Sequence, residues 1–169
     1  AGSRTDLEEG RGRRRHRVVG RREVFARVDR PAVDCGEDVA GDDAGAEAAW
    51  RRAIESLRSR SPHEPAEPGD ALPFLHLASF LLDGSRDARA VLDEARARFP
   101  DDHALAWLDA RARLEAGDPD GALPIFAALA RVDADALCMT RAYDTSIFGA
   151  NAHAAAGLCA FRLGRYDDS

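Results

Sequence analysis

The sequence predicts an all-α protein in which antiparallel helix pairs stack as a solenoid, behind a short irregular or β-hairpin N-terminal arm. Three observations carry the prediction. Apolar residues recur with helical spacing in one segment after another from residue 44 onward. Turns of only three or four residues join the segments, so neighbours must run antiparallel. The pattern also repeats: Gly84 and Gly117 lie 33 residues apart, as do Arg98-Phe99 and Arg131-Val132. That is the period of a two-helix repeat.

Residues 1–43 stand outside the pattern. They are polar and Arg-rich, with one short alternation (Val24, Ala26, Val28) that follows Val18-Val19 around Gly20 and predicts a hairpin. Such a hairpin is marginal alone and would have to pack on the helices. Residues 44–69 comprise a flanking helix over 44–60 and a Pro-rich connector. Trp50, Ala53, Ile54 and Leu57 form the helix's apolar stripe, and Asp42 or Asp43 can serve as its N-cap. The segment 61–69 contains Pro62, Pro65 and Pro68, which no helix can cross.

Residues 70–169 hold the repeats. A short apolar helix over 72–82 has Pro73 in its first turn, where the missing N–H costs nothing, and Asp83-Gly84 stops it. Ser85 is expected to cap the next helix, with Ala88, Val91, Leu92 and Ala95 inward and Phe99-Pro100 at its end. Asp102 caps a helix carrying Trp107, Ala110 and Leu114, which stops at Gly117. Asp118-Pro119 opens another, with Ala122, Ile125, Phe126 and Leu129 inward. A final helix over 151–163 ends at Gly164. Between the last two helices lies an insertion at about 136–149, and insertions in solenoids map to loops, often on a binding face.

Composition narrows the function classes. Residues 1–30 carry 10 Arg against 5 acids, and residues 31–169 carry 14 Arg against 25 acids, which together give the net charge of −6. An acidic body argues against nucleic acid or an anionic membrane as its partner. The run Arg11 to Arg17 reads first as a solvated arm, or one pairing with the acidic body, and second as an electrostatic contact for nucleic acid or anionic lipid. No segment is long and apolar enough to span a bilayer, since 71–82 is interrupted by Pro73 and His76. Cys35, Cys138 and Cys159 are too far apart for a metal or disulfide pattern, so a reducing cytoplasm is expected. His16, His63, His76, His103 and His153 share no ligand spacing, which predicts no metal and no cofactor.

The spacing of Ala88, Leu92, Ala95 and Pro100 resembles the second helix of a tetratricopeptide repeat. Ala122, Phe126 and Leu129 keep that spacing in the next repeat, with Ala134 in place of the proline. Gly157 and the stretch 163–169 resemble the first helix and the turn of a third. The resemblance implies a non-catalytic scaffold that binds a peptide or partner domain in the groove lined by the first helix of each pair. More distantly, YDTSIFG (143–149) and AGLCAFRLGRY (156–166) resemble the repeat tail of bacterial family-2 glycosyltransferases. That implies, as the alternative, an accessory module of a larger enzyme.

Candidate binding residues follow from the groove geometry. Trp107 and Arg111 would face one way in one repeat, and Asn151, Leu158 and Arg162 in the next. Arg can grip a carboxylate with two hydrogen bonds and Trp supplies apolar area, so an acidic peptide is the expected ligand class. Trp107 can equally serve inter-helix packing. Arg141, Tyr143 and Asp144 form a second polar cluster in the insertion. The last helix lacks a following partner, which leaves self-association through its uncapped face as a further expectation.

Overall fold

The structure, a computed structural model, describes residues 43–60, 67, 69–134, 137 and 144–165. All belong to one unit, Asp34–Ser169; the other, Ala1–Val33, lies outside the described residues, and with it the expected Arg-rich arm and hairpin. The described chain contains six α-helices: α1 (Asp43–Arg58), α2 (Leu72–Asp83), α3 (Arg89–Arg98), α4 (His103–Glu115), α5 (Pro119–Leu129) and α6 (Ala150–Arg162). A 3-10 turn, Thr145–Ile147, precedes α6.

Local chemistry sets the helix starts. The Asp102 carboxylate accepts from Leu105 N at 3.0 Å and the Asp118 carboxylate from Gly121 N at 2.9 Å. Each satisfies an amide that the first turn of α4 or α5 leaves orphaned. A Cβ on Gly121 would stand 2.3 Å from an Asp118 carboxylate oxygen, so a side chain there would make the carboxylate shift. Helix α2 has no side-chain cap and relies on a proline in its first turn. In α5, Pro124 sits inside the helix and removes one backbone donor, yet the helix runs on to Leu129.

The helices α2, α4 and α6 end alike. Behind α4, Gly117 N donates to Leu114 O and Asp118 N to Arg113 O. Behind α6, Gly164 N donates to Phe161 O and Arg165 N to Ala160 O. Both are Schellman closures, with the left-handed residue just past the helix. Gly117 has φ +86 and Gly164 φ +72. Helix α2 closes the same way, through Ser85 N to Leu82 O and Arg86 N to Leu81 O. There the left-handed residue is Ser85, at φ +55, and Gly84 keeps φ −79 one position earlier. Ser85 therefore closes α2 and does not cap the next helix. That helix begins four residues later, with Ala88 as its N-cap and Asp87 accepting from Arg89 N. The structural partner of Gly117 is Ser85, 32 positions before it, and not Gly84.

Packing follows chain order: α1 on α2, α2 on α3, α3 on α4, α4 on α5 and α5 on α6, with α2 also against α4. Side-chain ties give the directions. Arg89, at the start of α3, reaches Asp109 midway along α4, while Arg96, near the end of α3, donates to Asp102 O just ahead of α4, so these two run antiparallel. Arg165, just past α6, meets Asp120 at the start of α5, which makes that pair antiparallel too. Asp83, at the end of α2, meets Arg111 near the end of α4, so α2 and α4 run the same way. Buried Phe148, just ahead of α6, packs edge-on against His103 at the start of α4, which aligns α4 with α6.

The core is a string of small and large apolar side chains along these contacts. Phe74, Leu77 and Ala78 of α2 are buried with Leu92 and Ala95 of α3. Leu105, Trp107, Ala110 and Leu114 of α4 are buried with Ala122, Phe126 and Leu129 of α5. Ala152, Ala155, Cys159 and Ala160 carry the burial along α6. Each large side chain among them contributes about 1.5–3 kcal/mol of transfer free energy, so the α4–α5 layer is the best-anchored part. Helix α1 has a single fully buried residue, Ile54.

Candidate interaction surface

The C-terminal ends of α2, α4 and α6 form a continuous polar row. Arg111 of α4 donates from Nη1 to Asp83 of α2 at 3.0 Å and from Nε to Glu115 at 2.8 Å. Arg162 of α6 donates from Nη1 to the carbonyl oxygen of Leu114 at 3.1 Å. The Schellman closures bring these side chains together. They stop all three helices at the same end, where the last carbonyls carry partial negative charge and an Arg is a favourable neighbour. Arg111 is well packed, its side chain 13% exposed, whereas Arg162 is an exposed residue.

The sequence-derived site residues divide accordingly. Arg111 and Arg162 are brought together across the end of α4. Trp107 is not part of that surface: it is 4% exposed, and its indole meets the Phe126 ring edge-on at 5.1 Å between centroids. Of its two readings, the structure has the packing one, and the physical reason is α5, which covers the face of α4 that carries Trp107. Asn151 is exposed in the first turn of α6, and Leu158 is half-buried two turns later. Asp144 is exposed and caps the 3-10 turn, accepting from Ser146 N at 2.9 Å. Arg141 and Tyr143 lie outside the described residues, as does half of the expected insertion.

Two charge clusters escape a sequence reading. In the first, Asp109 is a buried acid of α4, 6% exposed, that accepts from Arg113 Nε at 3.0 Å and from Arg89 Nη1 at 3.4 Å. Arg113 also reaches Asp118, at 3.8 Å, and Arg89 reaches Asp93, at 3.3 Å. Residues two apart on a helix point ~200° apart, so Asp109 and Arg111 use opposite sides of α4. The only hint in the sequence is the i,i+4 spacing of Asp109 and Arg113. The second cluster surrounds Glu47 of α1, which accepts from Arg86 at 2.7 Å and from Arg51 at 2.8 Å. The Arg86 hydrogen bond, and then that of Arg51, holds its carboxyl at about 2. Glu94 of α3 is likewise held low, chiefly by Arg58.

No group of three or more His, Cys, Asp or Glu that could hold a metal ion occurs among the described residues. Cys159 is buried in α6, and burial pushes its thiol pKa up, which opposes reactivity. Among the described residues no helix is long and apolar enough to cross a membrane. Phe161, 64% exposed at the end of α6, is the most exposed of the large apolar side chains described. Comparison with protein-family models, with curated proteins and with solved structures finds no match.

Proposed function

We propose that the chain is a non-catalytic protein-interaction module. In this reading it is a tetratricopeptide-like array of helix pairs that takes an acidic, extended segment of a partner protein across the ends of α2, α4 and α6. The observation that carries the reading is the shared ending of these three helices. Each closes with the same Schellman hydrogen bonds, and Asp83, Arg111 and Arg162 tie the ends side by side. A surface assembled from successive, similarly ended helices suits an extended ligand that crosses several of them.

The chemistry expected there is ion pairing. Arg162 is exposed and already oriented by one hydrogen bond to Leu114 O, so its fork can meet a carboxylate with little ordering cost. Arg111, held between Asp83 and Glu115, fixes the end of α2 beside that of α4. The half-buried Leu158, one turn before Arg162, offers apolar area beside the charge.

Fluorescence anisotropy with a labelled Asp/Glu-rich peptide bearing a free C-terminal carboxylate tests the proposal. A charge-assisted hydrogen bond is worth about 1.5–3 kcal/mol, so Arg162→Ala should weaken binding by roughly ten- to hundredfold. Equal affinity for that variant, or preference for a Lys/Arg-rich peptide of the same length, contradicts it.

A further inference from the structure

Helix α1 is held differently from every other helix described. Ile54 is its only fully buried residue, and the side chains of Arg51, Arg52, Glu55 and Arg58 are exposed. By contrast, α4 buries seven residues. Trp50, Ala53 and Leu57 are half-buried beside Ile54, and around this narrow seam α1 has a set of ion pairs. Ahead of Trp50, Glu47 accepts from Arg86 Nη1 at 2.7 Å and from Arg86 Nη2 at 3.0 Å. At the other end, Arg58 Nε donates to Glu94 at 3.0 Å, and Arg98 Nη1 donates to Leu57 O at 3.3 Å. Beyond the helix, Arg60 meets Asp70 at 2.8 Å. Arg86 lies past the end of α2 and Asp70 before its start, so α1 runs antiparallel along the whole of α2.

Under α1 is an aromatic face. Trp50 stacks on His76 at 5.8 Å and tilts against Phe80 at 5.7 Å, and the Arg86 guanidinium lies 5.9 Å from the Phe80 ring centre. We infer that α1 is a releasable strap, held by an exposed ionic clasp around a narrow apolar seam, and that its release uncovers a helix-docking face on α2 and α3. The ligand of that face is an amphipathic helix with α1's own pattern. It carries an aromatic and an aliphatic residue one turn apart, like Trp50 and Ile54, with an acid ahead of them and an Arg behind. Charge complementarity sets the polarity, because Arg86 waits at one end of the face and Glu94 at the other. A partner helix of this pattern would compete with the strap, so binding there is tuned by ionic strength and by the local concentration of the tethered α1. This device is independent of the polar row proposed above as a peptide site.

The physical ground is that exposed ion pairs are screened by salt while buried apolar contacts are not. The screening length falls from about 10 Å at 0.1 M to about 3 Å at 1 M. Local opening of weakly anchored elements occurs below the free energy of global unfolding.

Hydrogen exchange of the full chain, read by mass spectrometry at these two salt concentrations, is the first test. Amides of α1 should exchange about tenfold faster at the higher salt, the size expected from a few exposed pairs, while those of α4 and α5 keep their protection. Salt-independent protection of α1, or a parallel loss in α4 and α5, overturns the inference. The variant Glu47→Arg should open α1 at 0.1 M salt, and adding Arg86→Glu should close it again by reversing the pair. A labelled peptide of residues 43–58 should then bind the Glu47→Arg chain and be excluded from the unaltered chain. Failure of the peptide to bind the opened variant overturns the docking face, and failure of the reversed pair to close overturns the clasp.

Discussion

Trp107 offers the sharpest stability prediction. Its indole is 4% exposed and edge-on to Phe126 at 5.1 Å, at the centre of the α4–α5 layer. Truncation to alanine removes the buried ring and leaves a cavity between two helices that cannot fully collapse. Such changes cost about 3–5 kcal/mol, of which the edge-to-face pairing accounts for about 0.5–1.5 kcal/mol. Against a total stability of roughly 5–15 kcal/mol, the variant should be marginal at physiological temperature. At about 4 °C per kcal/mol for a domain of this size, the melting point should fall by roughly 12–20 °C. The assay is urea and thermal unfolding followed by circular dichroism at a helical wavelength, because the substitution deletes a fluorophore. Trp107→Phe, which keeps an aromatic edge for Phe126, should lose clearly less. A Trp107→Ala protein with unchanged midpoint and slope would refute the packing argument and return Trp107 to the binding surface.

Four further outcomes follow from local geometry. Ser85→Gly should stabilise the protein by about 0.5–1 kcal/mol, since φ +55 strains a residue bearing a Cβ more than the added chain entropy of glycine costs; the reverse sign in urea melts would count against the Schellman assignment. Pro124→Ala should add about 1–2 kcal/mol by restoring the missing donor inside α5, measured the same way. Glu47 has its pKa lowered from 4.5 to about 2, so its share of α1's attachment is complete above pH 4.5 and lost as pH falls toward 2. Hydrogen exchange should thus show α1 protection unchanged between pH 7 and 5 once intrinsic rates are corrected, and declining below. Cys159, buried and with its thiol pKa raised, should be alkylated at pH 8 at least about a hundredfold more slowly than in urea, as read by site-resolved mass spectrometry.

The fold was legible where a single residue type does a local job. Asp102 and Asp118 were readable as caps, and Gly117 and Gly164 as helix stops, because each acts on a backbone within four residues of it. Asp83-Gly84 does stop α2, with Gly84 as its C-cap, but the left-handed residue of the closure is the next one, Ser85, a residue type that does not mark such a position. Val91 and Ile125 were placed inward by periodicity and are half-buried, because the stripe is wider than the contact each neighbour makes.

The candidate surface was only half legible. The periodicity that groups Trp107 with Arg111 cannot tell which of two neighbouring helices covers which residue, and α5 covers Trp107. The pairings of Arg111 with Asp83 and of Arg162 with Leu114 O join residues 28 and 48 positions apart, which no local pattern encodes. The same is true of the clasp, where Glu47 and Arg86 are 39 positions apart.

Amide chemical-shift mapping tests most directly whether the joined ends of α2, α4 and α6 bind a peptide. Titration with the acidic peptide should move the amides of Asp83, Glu115, Arg162 and their neighbours, leaving the α4–α5 interior around Trp107 still. Shifts confined to other faces of the helices, or no shifts at all with that peptide, would contradict it.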